Sequence, residues 1–439
     1  MKSICKFRQL VILGLLLVGN SALAAPEYLE LLDFHLIDGS GAAPRHVDRL
    51  VARDGVIELI GSAGQAPEPE PTARWTRVGL AGAWVMPGLI DTHVHVARFP
   101  NAHVMAEKIL GQSVRGGVTS VRDLTGDARA LAEIERATGT GELVAPNIVF
   151  SALFGGPDIF ARGPTAEMAS GRPRGEAPWA HVVTEDSDLR QLIAEAKGSG
   201  TKNIKVYGDL TPDLAERLIR EGTRQGMLST AHATVFPARP GDLVDAGVGS
   251  LSHAPYLVWQ AVETVPDDYG QRIAGPWNEI PANHPALLDL YKSMAKHGVT
   301  LDATLYVYKS MQSYPGVPKM DWTEAAFKWG VQATRLANEA GVLVTTGTDW
   351  FEPRDDFELP HTHEELALLV EAAGFSPMQA IVAGTRNGAV ALGLQKTHGT
   401  IEIGKVADLL VLDADPLEDI HNTTRIRFTV RNGLVVDPE

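Results

Sequence analysis

Short apolar runs alternating with polar residues open the chain after residue 25. They fall at 28–34, 49–53, 56–60 and 74–78, each of strand length. Turn signals separate them: Asp38-Gly39, Asp54-Gly55 and a proline-rich stretch from Pro67 to Pro71. The far end repeats the pattern at 409–412, 426–431 and 434–436, with an Asn432-Gly433 turn before the last run. Two strand-rich ends around a long middle predict one small β domain built from both. In the middle, short apolar strands alternate with segments of helical period, which predicts parallel β/α architecture. The clearest unit starts with a strand at 203–207. Thr211-Pro212 then caps a helix, Leu214, Leu218 and Ile219 form its buried face, Gly226 ends it, and the next strand runs 227–232. A later helix opens with Ser376-Pro377-Met378-Gln379, the capping-box spacing.

Eight strands can be placed this way, ending near His95, Asp123, Leu153, Tyr207, His232, His253, Thr304 and Asp349. The fold class is therefore α/β: a (β/α)8 TIM-like barrel over 88–397, with a small β-sandwich domain contributed by 26–87 and 398–439. The longest irregular stretch, 154–183, is rich in Gly, Pro and Arg. It is expected to be a lid or substrate loop.

Residues 1–25 follow another pattern. Lys2, Lys6 and Arg8 precede an apolar run from Leu10 to Val18, and Ala22-Leu23-Ala24 has the small-x-small form of a cleavage site. This reads as a secretory signal peptide, the run being short for a membrane span, and predicts a secreted or periplasmic protein. The single cysteine, Cys5, lies before the run, where a lipoprotein cysteine would follow it. A mature chain without cysteine must take any metal ligands from His, Asp, Glu or a modified residue. The formal net charge is −15, and losing three leader cations makes the rest more acidic still. That disfavours nucleic acid and anionic lipid as partners, and a small-molecule substrate is expected. Membrane attachment is not expected after leader removal, and self-association into a homo-oligomer is open.

The candidate chemistry sits at strand ends. His93 and His95, in Asp91-Thr92-His93-Val94-His95, point the same way from one strand and can reach one ion. Alone, such a pair is more often two packed histidines. Lys205, within Ile204-Lys205-Val206-Tyr207, is a lysine in an apolar strand. It must be paired, neutralised or modified, because burying an ammonium is costly. One reading is a bond to a carboxylate; the other is carbamylation by carbon dioxide. His232 and His253 each close a predicted strand after small polar residues, and Asp349 closes the last one in Thr345-Thr346-Gly347-Thr348-Asp349. Each has a bland alternative, as packed histidine or helix cap. Tyr207 shares a strand face with Lys205 and is a candidate donor to substrate, or barrel packing. His363, in His361-Thr362-His363-Glu364-Glu365, is a candidate substrate contact, or a residue of a helix first turn.

Taken in order, HxH, strand lysine, His, His and Asp resemble the amidohydrolase superfamily. More narrowly the chain is similar to its imidazolonepropionase-related group, which includes metal-dependent Xaa-Pro and Xaa-Arg dipeptidases. The stretch Gly399-Thr400-Ile401-Glu402-Ile403-Gly404-Lys405-Val406-Ala407-Asp408-Leu409 is similar to the family's return into its β domain. The resemblance implies His93 and His95 on one metal, His232 and His253 on a second, Lys205 as bridging carbamate, and Asp349 as ligand and base. Histidine-rich ligation suits zinc, two ions per chain, with other divalent metals open. The expected activity is hydrolysis of C–N bonds in dipeptides or N-acyl amino acids by a metal-bound hydroxide. Two alternatives stand beside it: a cyclic-amide or lactone ring hydrolase on the same site, and a non-catalytic periplasmic metal- or solute-binding protein.

Overall fold

The computed structural model describes residues 26–62, 73–98, 102–161, 169, 171–312, 320–349 and 359–438. The leader 1–25, the Pro67–Pro71 turn and part of the 154–183 stretch lie outside them. Among the described residues eight parallel strands follow one another in chain order. They are Leu89–Val94, Val118–Asp123, Asn147–Gly155, Asn203–Val206, Leu228–His232, Ser250–Ser252, Thr300–Asp302 and Val344–Thr345. The ring closes between the last and the first: Thr92 N donates to Thr346 O at 2.8 Å, and Asp349 N to His93 O at 2.8 Å. The (β/α)8 barrel read from the sequence is present, with strand ends within about three residues of those expected except the eighth. Regular pairing there stops at Thr345, four residues before Asp349.

Local chemistry accounts for the units. In the fourth unit, the Thr211 hydroxyl accepts from Leu214 N, Pro212 opens the helix Pro212–Arg224, and Leu214, Leu218 and Ile219 are buried against the barrel. Ser376 and Gln379 make both bonds of the capping box.

The chain ends form one seven-stranded sheet. Its order is Leu434–Val436, Ile426–Arg431, Leu409–Leu412, Arg74–Pro87, Glu27–Leu36, Arg45–Arg53, Val56–Gly61. The sheet folds over its own core, which joins Leu31, Phe34 and Leu50 to Leu409, Val411 and Val430. An isolated antiparallel bridge joins Val56, on the edge strand, to Val406, just before strand Leu409–Leu412. Strand Arg74–Pro87 runs through Gly88 straight into the first barrel strand, so the sheet sets the direction in which His93 and His95 are delivered.

The 154–183 stretch differs from the irregular lid expected. It contains a short helix, Pro157–Ala161, and a small hairpin, Glu176–Ala177 with Ala180–Val182, whose second strand pairs in parallel with the third barrel strand. Burial of Ala177, Trp179 and Ala180 holds it there. No helix among the described residues is long and apolar enough to cross a membrane.

Candidate active site

The carboxyl ends of the barrel strands carry the polar residues singled out above. His93, His95 and Asp349 each bring one ligand atom to within 4.8 Å of the others. The Asp349 carboxylate lies 3.0 Å from His95 Nε2 and 3.3 Å from His93 Nε2. His253 stands behind, its ring 5.2 Å from that of His93 and 4.8 Å from that of His232. Lys205 is fully buried on the fourth strand, and its Nζ donates to Ser252 Oγ at 3.4 Å.

The four imidazoles share one arrangement. Each Nδ1 is engaged by a side-chain oxygen: His93 by Asp302 at 2.6 Å, His95 by Thr125 at 2.8 Å, His232 by the Tyr269 hydroxyl at 3.0 Å, His253 by Thr304 at 3.0 Å. An Nδ1–H donated to these oxygens leaves every Nε2 with its lone pair free, the state a metal ligand needs. Burial pushes His93, His232 and His253 below the usual imidazole range, His253 to about 3, so these rings give up a proton readily to a cation. Burial alone would raise the Asp349 carboxyl, but His93, His95 and His253 outweigh it and hold the group ionised. Neutral nitrogens around an anionic oxygen are a donor set that fits a divalent cation.

The backbone is bent to make this set. His253, Thr304 and Asp349 follow the sixth, seventh and eighth strands in the left-handed region, with φ of 70°, 52° and 52°. Non-glycine residues adopt it rarely, and it concentrates at functional sites. Gly347 permits the closest approach: a Cβ there would lie 1.9 Å from Asp302 Oδ1 and 2.8 Å from His93 Cβ.

Asp302, Thr125, Thr304 and Tyr269 were not singled out from the sequence. Asp302 carried a usable signal, a strand-end acid in an apolar context like Asp349; the other three carry none. Tyr207 lies beside the cluster, its ring 4.2 Å from His232. His363 requires a correction. It sits in the first turn of helix Thr362–Glu371, with Nδ1 on the Thr423 hydroxyl at 2.9 Å and Nε2 on the Gly116 carbonyl at 2.9 Å. Gly116 leads into the second barrel strand, at the end opposite the cluster, and both ring nitrogens are occupied, so His363 is no substrate contact.

Comparison with known proteins agrees with this geometry. The amidohydrolase family profile matches residues 84–436. An ochratoxinase from Aspergillus niger is 26% identical over 88% of this chain and 81% of its own length. An imidazolonepropionase from Maricaulis maris is 25% identical, covering 86% of this chain and 89% of that protein. A crystal structure of a Xaa-Pro dipeptidase with bound methionine superposes with a TM-score of 0.72 at 19% identity, over 94% of this chain and all of the other. With the profile spanning the barrel and the strands that close the small sheet, the chain belongs to the amidohydrolase family and is a hydrolytic enzyme.

Proposed function

We propose that this protein is a metal-dependent hydrolase of amide bonds in dipeptides or N-acyl amino acids. The observation that carries the reading is the convergence of His93 Nε2, His95 Nε2 and Asp349 Oδ1. We assign those three residues to one divalent ion and His232 and His253 to a second, with zinc suiting the nitrogen-rich set. A metal ion there supplies a Lewis acid that polarises the scissile carbonyl and makes a neighbouring water more acidic.

The protein's own residues do the rest. Asp349 stays ionised, accepts the proton of the attacking water and returns it to the leaving nitrogen. Burial raises the Tyr207 phenol, which therefore remains a hydrogen-bond donor to substrate. Burial lowers the Lys205 ammonium to about 7, against the pull of Asp302 and Asp349, so a neutral amine is accessible. Addition of carbon dioxide to that amine forms one N–C bond and releases one proton. The neutral amine would thereby become an anion with two oxygens, a ligand suited to divalent ions.

The Xaa-Pro dipeptidase likeness supports a peptide-like substrate. The imidazolonepropionase likeness supports a second reading, opening of a cyclic amide. Metal analysis of the purified protein, paired with intact mass under non-denaturing conditions, tests the centre. About two ions per chain and a mass excess equal to carbon dioxide are expected, followed by turnover in a dipeptide and N-acyl amino acid screen. A protein that takes up no metal after zinc supplementation would refute the reading. We further propose export, on the leader pattern of residues 1–25. N-terminal sequencing of protein from the periplasm or medium should begin just after Ala24 or Ala25.

A further inference from the structure

The aromatic wall beside His232 holds a cation that has no counter-ion among the described residues. Arg272 lies in the 3-10 segment Tyr269–Ala274, half-buried, with its guanidinium carbon 4.5 Å from the centre of the Tyr269 ring. Its only hydrogen bond among the described residues runs from Nη1 to the Tyr269 carbonyl at 3.4 Å, and no carboxylate pairs with it there. Tyr269 is the ring whose hydroxyl meets His232 Nδ1, so the guanidinium stands one aromatic ring away from a candidate metal ligand.

The rest of the wall is phenolic. The Tyr207 ring is 5.4 Å from Tyr269, and the Tyr256 ring is 5.2 Å from His253. The Tyr207 ring is also 4.2 Å from that of His232, and the Tyr256 ring 6.0 Å from it, so both phenols line the same wall. A half-buried guanidinium pays a desolvation penalty that no acid among the described residues offsets. A ligand anion would offset it, and the planar fork of arginine matches a carboxylate.

We propose that Arg272, with the Tyr207 and Tyr256 hydroxyls, forms a carboxylate-recognition subsite that orients the acidic end of the substrate beside the His93–Asp349 cluster. The proposal rests on the reading of that cluster as the hydrolytic centre and deepens it. Arg272 selects substrates with a free carboxylate over their neutral counterparts, and it acts in binding rather than in bond cleavage.

The test uses a non-hydrolysable pair of probes, 3-phenylpropanoate and 3-phenylpropan-1-ol, titrated calorimetrically into the zinc-loaded full-length protein. The acid should bind the wild type more tightly than the alcohol. Arg272→Gln should weaken the acid by at least about tenfold and leave the alcohol unchanged, while Arg272→Lys falls between. Since Arg272 makes no ion pair within the described residues, the variants should keep the wild-type melting temperature and zinc content. Equal acid affinity in wild type and Arg272→Gln would overturn the subsite, because the carboxylate would then sit on the metal. Failure of the acid to bind the wild type would overturn it as well. Amide turnover on the same preparations separates the two readings. Turnover with no Arg272-dependent acid binding keeps the hydrolase and removes the subsite; Arg272-dependent acid binding without turnover does the reverse.

Discussion

At the scale of single residues, the site is an exercise in assigning protons. A carboxylate can only accept, so Asp302 Oδ2, 2.6 Å from His93 Nδ1, forces the proton onto that nitrogen and turns Nε2 toward Asp349. Asp302 is fully buried and also accepts from Ser252 Oγ at 3.2 Å, so its own orientation is fixed. Replacing Asp302 with Asn leaves the shape but removes the charge and lets the amide donate, which favours the wrong tautomer of His93. Chelator competition on Asp302→Asn should show zinc affinity reduced by roughly 10- to 100-fold; wild-type affinity would mean that His93 needs no such partner. Asp349 has a different role, in ligation and in proton transfer. His93→Ala and Asp349→Asn should each abolish hydrolysis while the far-ultraviolet spectrum and melting curve stay near wild type. A fully active, metal-free Asp349→Asn protein would remove the mechanism.

At the scale of elements, short strands place these residues and a buried acid holds one of the turns. Thr304 stands at the N-cap of helix Leu305–Ser310, but its hydroxyl is turned to His253 and makes no cap bond. Glu365, reaching across from helix Thr362–Glu371, supplies the cap in its place: its carboxylate accepts from Leu305 N at 3.0 Å and Tyr306 N at 2.6 Å. Glu365→Ala would strip two buried amides of their acceptors at a cost of about 1–3 kcal/mol each. The Thr304 hydroxyl would be drawn back toward the helix and His253 released. Chemical denaturation and zinc per chain should both fall, with Glu365→Gln milder because it keeps one acceptor. Stability equal to wild type in Glu365→Ala would refute this account of the turn. The same turn shows what the sequence could and could not display. His93, Lys205, His232, His253 and Asp349 were visible because each interrupts or ends an apolar strand, where a polar residue needs a reason. Thr304 looks like any small polar strand end, Tyr269 like any loop residue, and Glu365 like any charge in a helix first turn. Their roles exist only once elements 37, 51 and 60 residues apart are packed together. The 154–183 stretch misled for a related reason: Gly, Pro and Arg masked a three-residue strand, Ala180–Val182, that is stabilised by pairing with the third barrel strand rather than by its own pattern.

At the scale of the whole molecule, His363 is a fastener between regions. One ring nitrogen meets Gly116, at the lead-in to the second barrel strand, and the other meets Thr423, in the turn Ile420–Thr424 that precedes strand Ile426–Arg431 of the terminal sheet. The ring is buried, and burial lowers it to about 4. In the unfolded chain it titrates near the ordinary value of about 6.5. Between those two values the unfolded state binds one proton more than the folded state, so stability is complete above pH 6.5 and declines as pH falls toward 4. The slope from this group is about 1.4 kcal/mol per pH unit, and its sum over the window is about 3 kcal/mol. His253, lowered to about 3, contributes in the same direction in the metal-free protein, so the informative quantity is a difference. His363→Gln should be less stable than wild type at pH 7.5, since an amide replaces two ring hydrogen bonds imperfectly. Its free energy of unfolding should nevertheless depend less steeply on pH, by about one proton between pH 4 and 6.5. Denaturation of both metal-free proteins across that range measures it. Parallel curves would show that His363 takes up its proton within the fold, and that the joint between barrel and terminal sheet does not depend on a neutral ring.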